Sequence, residues 1–249
     1  MLRKKRPPIV NGEIYHIVIR AVDVLKLFRD KQDYLQMIHN LFEFNDEKPA
    51  SSKFRVARHL TKTNKVKLTR SFLVSLADIR DEKREIIIEV LAFCLMPNHV
   101  HLLVRQVKDG GIVKFMRKVG TGYSLYYNQK YKRMGHVFQG RYRIIHITND
   151  NQLKAVFVYI HTNPVAIICS RWKEEGIRTK DLSKIIKFLE EEYRWSSYPD
   201  CLGNKNFPSV TAREWLINEM GGVKEVRRLV NDWLQTKKEL AELEQVVLE

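Results

Sequence analysis

Apolar residues recur along this chain first with a period of two, then at helical spacing, and the alternation between the two patterns predicts an ordered series of short elements. Residues 13–20 alternate and are rich in β-branched side chains, which predicts a first strand. Tyr34, Leu35, Ile38, Leu41 and Phe42 lie at helical spacing and predict a helix over 31–44. Strands follow at 86–93 and 99–105, joined by the turn Met96-Pro97-Asn98. A helix over 112–130 places Ile112, Phe115, Met116, Val119, Tyr123, Tyr126 and Tyr127 on one face and Lys114, Arg117 and Lys118 on another. The tyrosines of that face are expected in the core. Residues 141–147 read as a fourth strand, and Asn149 or Asp150 can cap a further helix that Pro164 must end.

The order β-α-β-β-α-β with a trailing helix predicts an α+β fold, a ferredoxin-like antiparallel sheet with helices on one face. Beyond Trp195 the character changes. Thr211-x-x-Glu214 has the form of a capping box, Gly221-Gly222 makes a break, and Val226, Leu229, Val230, Trp233, Leu240 and Leu243 predict a long amphipathic helix packed on the core.

Composition narrows the class. The 249 residues are 44% hydrophobic, enough for a sizeable core. No stretch has the apolar length of a membrane span, since the most hydrophobic one, 86–95, carries Glu89. The basic start Met1-Leu2-Arg3-Lys4-Lys5-Arg6 has no apolar segment behind it and does not read as a secretory signal. Cys94, Cys169 and Cys201 form no C-x-x-C pair and leave an odd thiol, so a reducing, bacterial-type cytoplasm is the expected compartment, in association with the nucleoid.

The net charge of +15 is uneven, because residues 1–198 hold 37 Lys/Arg against 20 Asp/Glu, a net +17. Such a field concentrates polyanions and points to nucleic acid as the first partner to consider. Residues 46–85 form a long charged connection, with seven Lys/Arg and no acid between Ser51 and Arg70. It suits either a phosphate backbone or a plain solvated loop.

The most telling chemistry sits at His99-Val100-His101. On a strand these imidazoles face the same way while Val100 faces the core, and two rings on one face make two legs of a divalent metal site. In the helix before Pro164, the stripe Leu153, Val156, Phe157 and Ile160 must face the sheet, and Tyr159 and Asn163 share its flank. A phenol and an amide one turn apart suit a single site, the amide oxygen completing a metal shell near the helix C-terminus. Equally, Asn163 suits a helix cap and Tyr159 a packed edge. His161 falls on the opposite flank and reads as a surface or capping residue.

Met96-Pro97-Asn98-His99-Val100-His101-Leu102-Leu103-Val104, Gly135-His136-Val137-Phe138-Gln139-Gly140-Arg141, Tyr159-Ile160-His161-Thr162-Asn163-Pro164-Val165 and Trp195-Ser196-Ser197-Tyr198 occur in that order. Together they resemble the single-tyrosine HUH transposases, above all the REP-associated tyrosine transposases, over about residues 9–203. The resemblance implies a metal-dependent enzyme that nicks and rejoins single-stranded DNA near hairpins, with His99 and His101 as metal ligands, Asn163 at the position of the third ligand and Tyr159 as nucleophile. It divides the chain into a transposase domain over 1–203, with a basic insertion at 46–85, and a C-terminal helical extension over 204–249 that it does not cover. Mn²⁺ suits two imidazoles, and Mg²⁺ is the more abundant ion. Lys114, Arg117, Lys118, Arg141 and Arg143 are candidate DNA contacts, joined by Gln139 in a glycine turn that lets a backbone approach closely; Phe138 or Tyr142 are candidates to stack on an unpaired base. Two rival readings keep the same charge and fold: a domesticated hairpin-binding regulator without catalysis, and a metal phosphodiesterase that uses water instead of Tyr159. Monomer and homodimer both remain open.

Overall fold

The computed structural model describes residues 6–48, 84–172, 176–177 and 179–235. Four antiparallel strands make one sheet in the order β2-β3-β1-β4, with β1 at Ile14–Arg20, β2 at Ile88–Met96, β3 at His99–Gln106 and β4 at Arg143–Ile147. Helices α1 (Lys31–Glu43) and α2 (Gly111–Lys130) connect β1 to β2 and β3 to β4. This is the ferredoxin-like α+β layer that the element order predicts. The basic stretch 51–70 lies outside the described residues, but the two ends of that connection meet, with Glu47 N donating to Glu85 O at 2.8 Å.

Pleating sorts the strand residues into two cores. Tyr15, Ile17 and Ile19 of β1 and Val100, Leu102 and Val104 of β3 face α1 and α2, where they bury against Met37, Leu41, Phe115 and Tyr123. Tyr123 and Tyr127 are core, as the helical stripe predicts, and their hydroxyls donate to Leu27 O and Lys26 O. The other face is covered by α3 (Asp150–Thr162), which Asn149 caps by accepting from Gln152 N, and by the chain that follows it. That chain runs through α4 (Val165–Ile168), α5 (Thr179–Lys187) with a wider turn at Phe188–Glu192, α6 (Tyr198–Cys201), α7 (Arg213–Glu219) and α8 (Val223–Gln235). Val226, Val230 and Trp233 of α8 bury in this second core, so the described part of the terminal amphipathic helix packs on the core as expected; Leu240 and Leu243 lie outside the described residues.

One expected device is absent. Thr211 does not cap α7; Ala212 takes that position, and its N–H donates to Val90 O at the irregularity in β2. Docking onto the sheet sets where the helix begins, and the local capping signal loses to it.

A buried carboxylate ties the two crossover helices together. Asp33, fully buried in α1, accepts from the Tyr126 and Tyr131 hydroxyls at 2.8 and 2.6 Å, from Lys130 Nζ at 2.6 Å and from Arg29 N at 2.7 Å. Every acceptor position is used, which is what makes a buried charge tolerable. Asp33→Ala is expected to lower the unfolding free energy by about 3 kcal/mol, measured by urea denaturation, because it leaves Lys130 and two hydroxyls facing a hole.

Candidate functional site

Register decides which side chains meet. On the α3 side of the sheet, β1 contributes His16, Val18 and Arg20, and β3 contributes His99, His101 and Leu103; Arg20 lies opposite His99, and Val18 lies opposite both His101 and Arg143. His99 and His101 are edge to face with ring centroids 4.8 Å apart. Tyr159 reaches the same place from α3, its ring 5.5 Å from His101 and 6.1 Å from His16, perpendicular to both within 11°. Tyr159 is 6% exposed, and His101 is 2% exposed.

Two contacts orient the imidazoles. His99 Nδ1 meets Asn98 Oδ1 at 2.7 Å. An amide oxygen only accepts, so Nδ1 carries the proton and Nε2 carries the lone pair. His101 Nδ1 meets Nε2 of His16 at 3.0 Å, the two rings stacked 12° from parallel. The turn that leads into β3 is itself clamped, with Leu27 N donating to Pro97 O and Ala21 N to Asn98 O.

Asn163 is the buried C-cap of α3, and its amide nitrogen donates to Tyr159 O at 2.7 Å. It therefore tethers the turn that carries Tyr159, and the oxygen is the atom it would offer a metal. Among the described residues no three His, Cys, Asp or Glu side chains converge as a metal cluster. The donor set that fits an ion is thus two imidazole nitrogens and an amide oxygen, with the remaining positions left to water or substrate oxygens, a mix suited to Mn²⁺ or Mg²⁺.

The structure departs from the sequence reading at His161. It is fully buried, its Nε2 lies 2.9 Å from Ser197 Oγ, and burial holds its pKa down to about 3, so it is a neutral structural group. The reason is that residues Trp195 to Ser197 lie along the edge of β2, with Leu95 N donating to Trp195 O and Ser197 N to Phe93 O, and cover the flank of α3 that would otherwise face water. This explains the Trp-Ser-Ser-Tyr motif as a bolt holding the tyrosine helix.

The proposed DNA contacts fall into separate groups. Arg117 and Arg141, both exposed, line a groove of about 790 Å³ between α2 and residues 135–142, together with Arg6 and Gly140. Gly140 has φ 66°, a left-handed conformation that favours glycine, and a Cβ there would meet nothing within 4 Å. Gln139 is exposed beside it, its N–H donating to Arg20 O. Arg143 is exposed on the histidine side of β4. Lys114 pairs with Glu47, and Lys118 Nζ donates to Asp46 O and Lys48 O, so both hold the segment after α1. Phe138 is a core ring, 9% exposed and packed on Tyr123, and Tyr142 is covered by Arg6 at 4.5 Å, so neither offers a bare face to a base. His16 and Arg20 were not among the candidates, although the alternation of β1 holds the only signal for them; its register against β3 is not legible in one strand.

Ser197→Ala is expected to cost about 1–3 kcal/mol in thermal or urea unfolding, since it strands the Phe93 N–H and the His161 ring inside the protein.

Among the described residues no helix is long and apolar enough to cross a membrane. No curated protein matches the chain. A solved structure described as the REP-associated tyrosine transposase bound to a REP hairpin is similar, with 12% identity and a TM-score of 0.46 over 85% of this chain and 92% of that one. The segment that holds β2, β3, α2, β4 and α3, residues 59–163 with His99, His101 and Tyr159 inside it, matches the family of IS200-like transposases.

Proposed function

We propose that this protein is a divalent-metal-dependent tyrosine transposase that cleaves and rejoins single-stranded DNA beside hairpins. The observation that carries the reading is that Tyr159, brought by a helix 58 positions downstream, stands with its ring 5.5 Å from His101 on the face that also holds His99. His99, His101 and Asn163 would hold the ion, Mg²⁺ or Mn²⁺, whose chemistry when bound is to polarise a phosphoryl oxygen of the scissile phosphate.

The protein's own part is positioning. Arg20 and Arg143 flank the histidines on the same face and are suited to hold the phosphate between them. Tyr159 Oη attacks phosphorus in line, a phosphorus–oxygen bond to the phenol forms, and the bond to the 3′ oxygen breaks. The phenol gives up its proton, the departing 3′ oxygen gains one, and a 5′-phosphotyrosine remains. One phosphodiester has replaced another, so a second 3′-hydroxyl can reverse the step and join a new strand without ATP. DNA beyond the phosphate would follow the basic groove of Arg6, Arg117 and Arg141, whose wall is hydrogen-bonded to the end of β1 through Gln139.

Incubated with Mn²⁺ and end-labelled hairpin DNAs carrying single-stranded flanks, the protein is expected to form an adduct that survives a denaturing gel and maps to Tyr159. Tyr159→Phe and His99→Ala should each reduce that adduct by at least roughly 10³-fold. Cleavage that persists in Tyr159→Phe would replace this reading with a water-using phosphodiesterase, and hairpin binding without cleavage would replace it with a non-catalytic regulator.

The groove makes its own prediction. Arg117→Ala with Arg141→Ala should lower the slope of log affinity against log salt by about 2 for single-stranded DNA, and Lys114→Ala, whose charge is spent on Glu47, by less than about 1.

A further inference from the structure

His16 takes no part in the chemistry above, and it stands where a histidine is costly. It is fully buried in the middle of β1, with Leu103 and Ile145 in register beside it on the same sheet face. Burying a polar group without a hydrogen bond costs on the order of 2 kcal/mol or more. The contact that offsets this cost is the one to His101, Nε2 to Nδ1 at 3.0 Å between stacked rings.

Two neutral imidazoles joined nitrogen to nitrogen hold one proton between them, and only two arrangements exist. If His16 Nε2 donates, His101 must keep its own proton on Nε2 and has no lone pair to present there. If His101 Nδ1 donates, its Nε2 presents a lone pair, and His16 keeps its proton on Nδ1. The second arrangement is the one that Asn98 imposes on the neighbouring ring, by accepting at His99 Nδ1.

We propose that His16 is the positioning residue of His101: it accepts the Nδ1 proton and so fixes the tautomer and ring plane in which His101 turns Nε2 to the site. Ligand histidines are generally held by an acceptor behind them, most often a carboxylate or a carbonyl. An imidazole acceptor does the same work without placing a negative charge beside a DNA phosphate. The strand pairing makes this geometry stiff, because β1 and β3 are hydrogen-bonded neighbours and His16 and His101 sit on the same face one diagonal step apart. The consequence for metal affinity rests on the reading of His101 as a ligand; the tautomer does not.

The two parts separate by experiment. In the wild-type, metal-free protein with ¹⁵N-labelled histidine, long-range ¹H–¹⁵N correlation spectra are expected to show His101 and His16 both as Nδ1–H tautomers. An Nε2–H tautomer at His101 overturns the inference, and this measurement needs no variant to fold. Mn²⁺ is then titrated into wild type, His16→Gln, which keeps an acceptor oxygen, and His16→Phe, which keeps bulk without one. Expected is a loss of roughly 10–100-fold in affinity for His16→Phe and a change of no more than about threefold for His16→Gln. Equal affinity in His16→Phe and wild type overturns the positioning role. A wild type that binds no Mn²⁺ yet shows the Nδ1–H tautomer at His101 removes the metal reading and supports the orientation by His16.

Discussion

Side chains on a strand can face only two ways, and the antiparallel register of β1 against β3 turns that limit into the organising constraint of this protein. With Val18 opposite His101 and Arg20 opposite His99, every apolar residue of β1 at an odd position enters the core under α1 and α2, and the even positions share a face with the histidines. A slip of one residue would bury Arg20 under α1 and expose Tyr15 and Ile17. The burial of several large side chains, each worth about 1.5–3 kcal/mol, therefore enforces the same register that assembles the candidate site.

Each sheet face adds a buried polar anchor to its apolar core. Under α1 and α2 it is Asp33, whose charge is met by Lys130 and by two tyrosine hydroxyls. On the opposite face it is Ser197, which joins the β2 edge to the ring of His161. Apolar packing has little preference for where along its axis a helix sits. A directional hydrogen bond does, and a helix that must present one phenol beside two imidazoles gains its placement from such bonds.

The strongly basic charge is not uniformly available to a polyanion. Lys114, Lys118 and Lys130 are spent on Glu47, on the carbonyls after α1 and on Asp30 and Asp33. Arg117 and Arg141 stand exposed on the groove, and Arg20 beside the histidines. Charge counted along a chain thus measures the field at a distance, where all cations add, while contact at the surface depends on which of them the fold has already engaged.

Much of this protein is legible in its sequence, for reasons that are local. Period-two and helical patterns locate all four strands and the helices 31–43, 111–130 and 150–162 to within a few residues, because burial of one face is imposed on each element separately. The pairing of His99 with His101 on one face follows from the pleat alone, and the Tyr159–Asn163 turn from the helix repeat. What only the tertiary structure decides is every relation across elements. It places His16 behind His101 and Arg20 opposite His99, buries His161 under a returning segment, moves the start of α7 past Thr211, and spends Lys114 and Lys118 on a distant loop. Each of these depends on register or docking between segments far apart in the chain, and such distances carry no periodic signal, because it is the joint burial of both partners, and neither alone, that selects them.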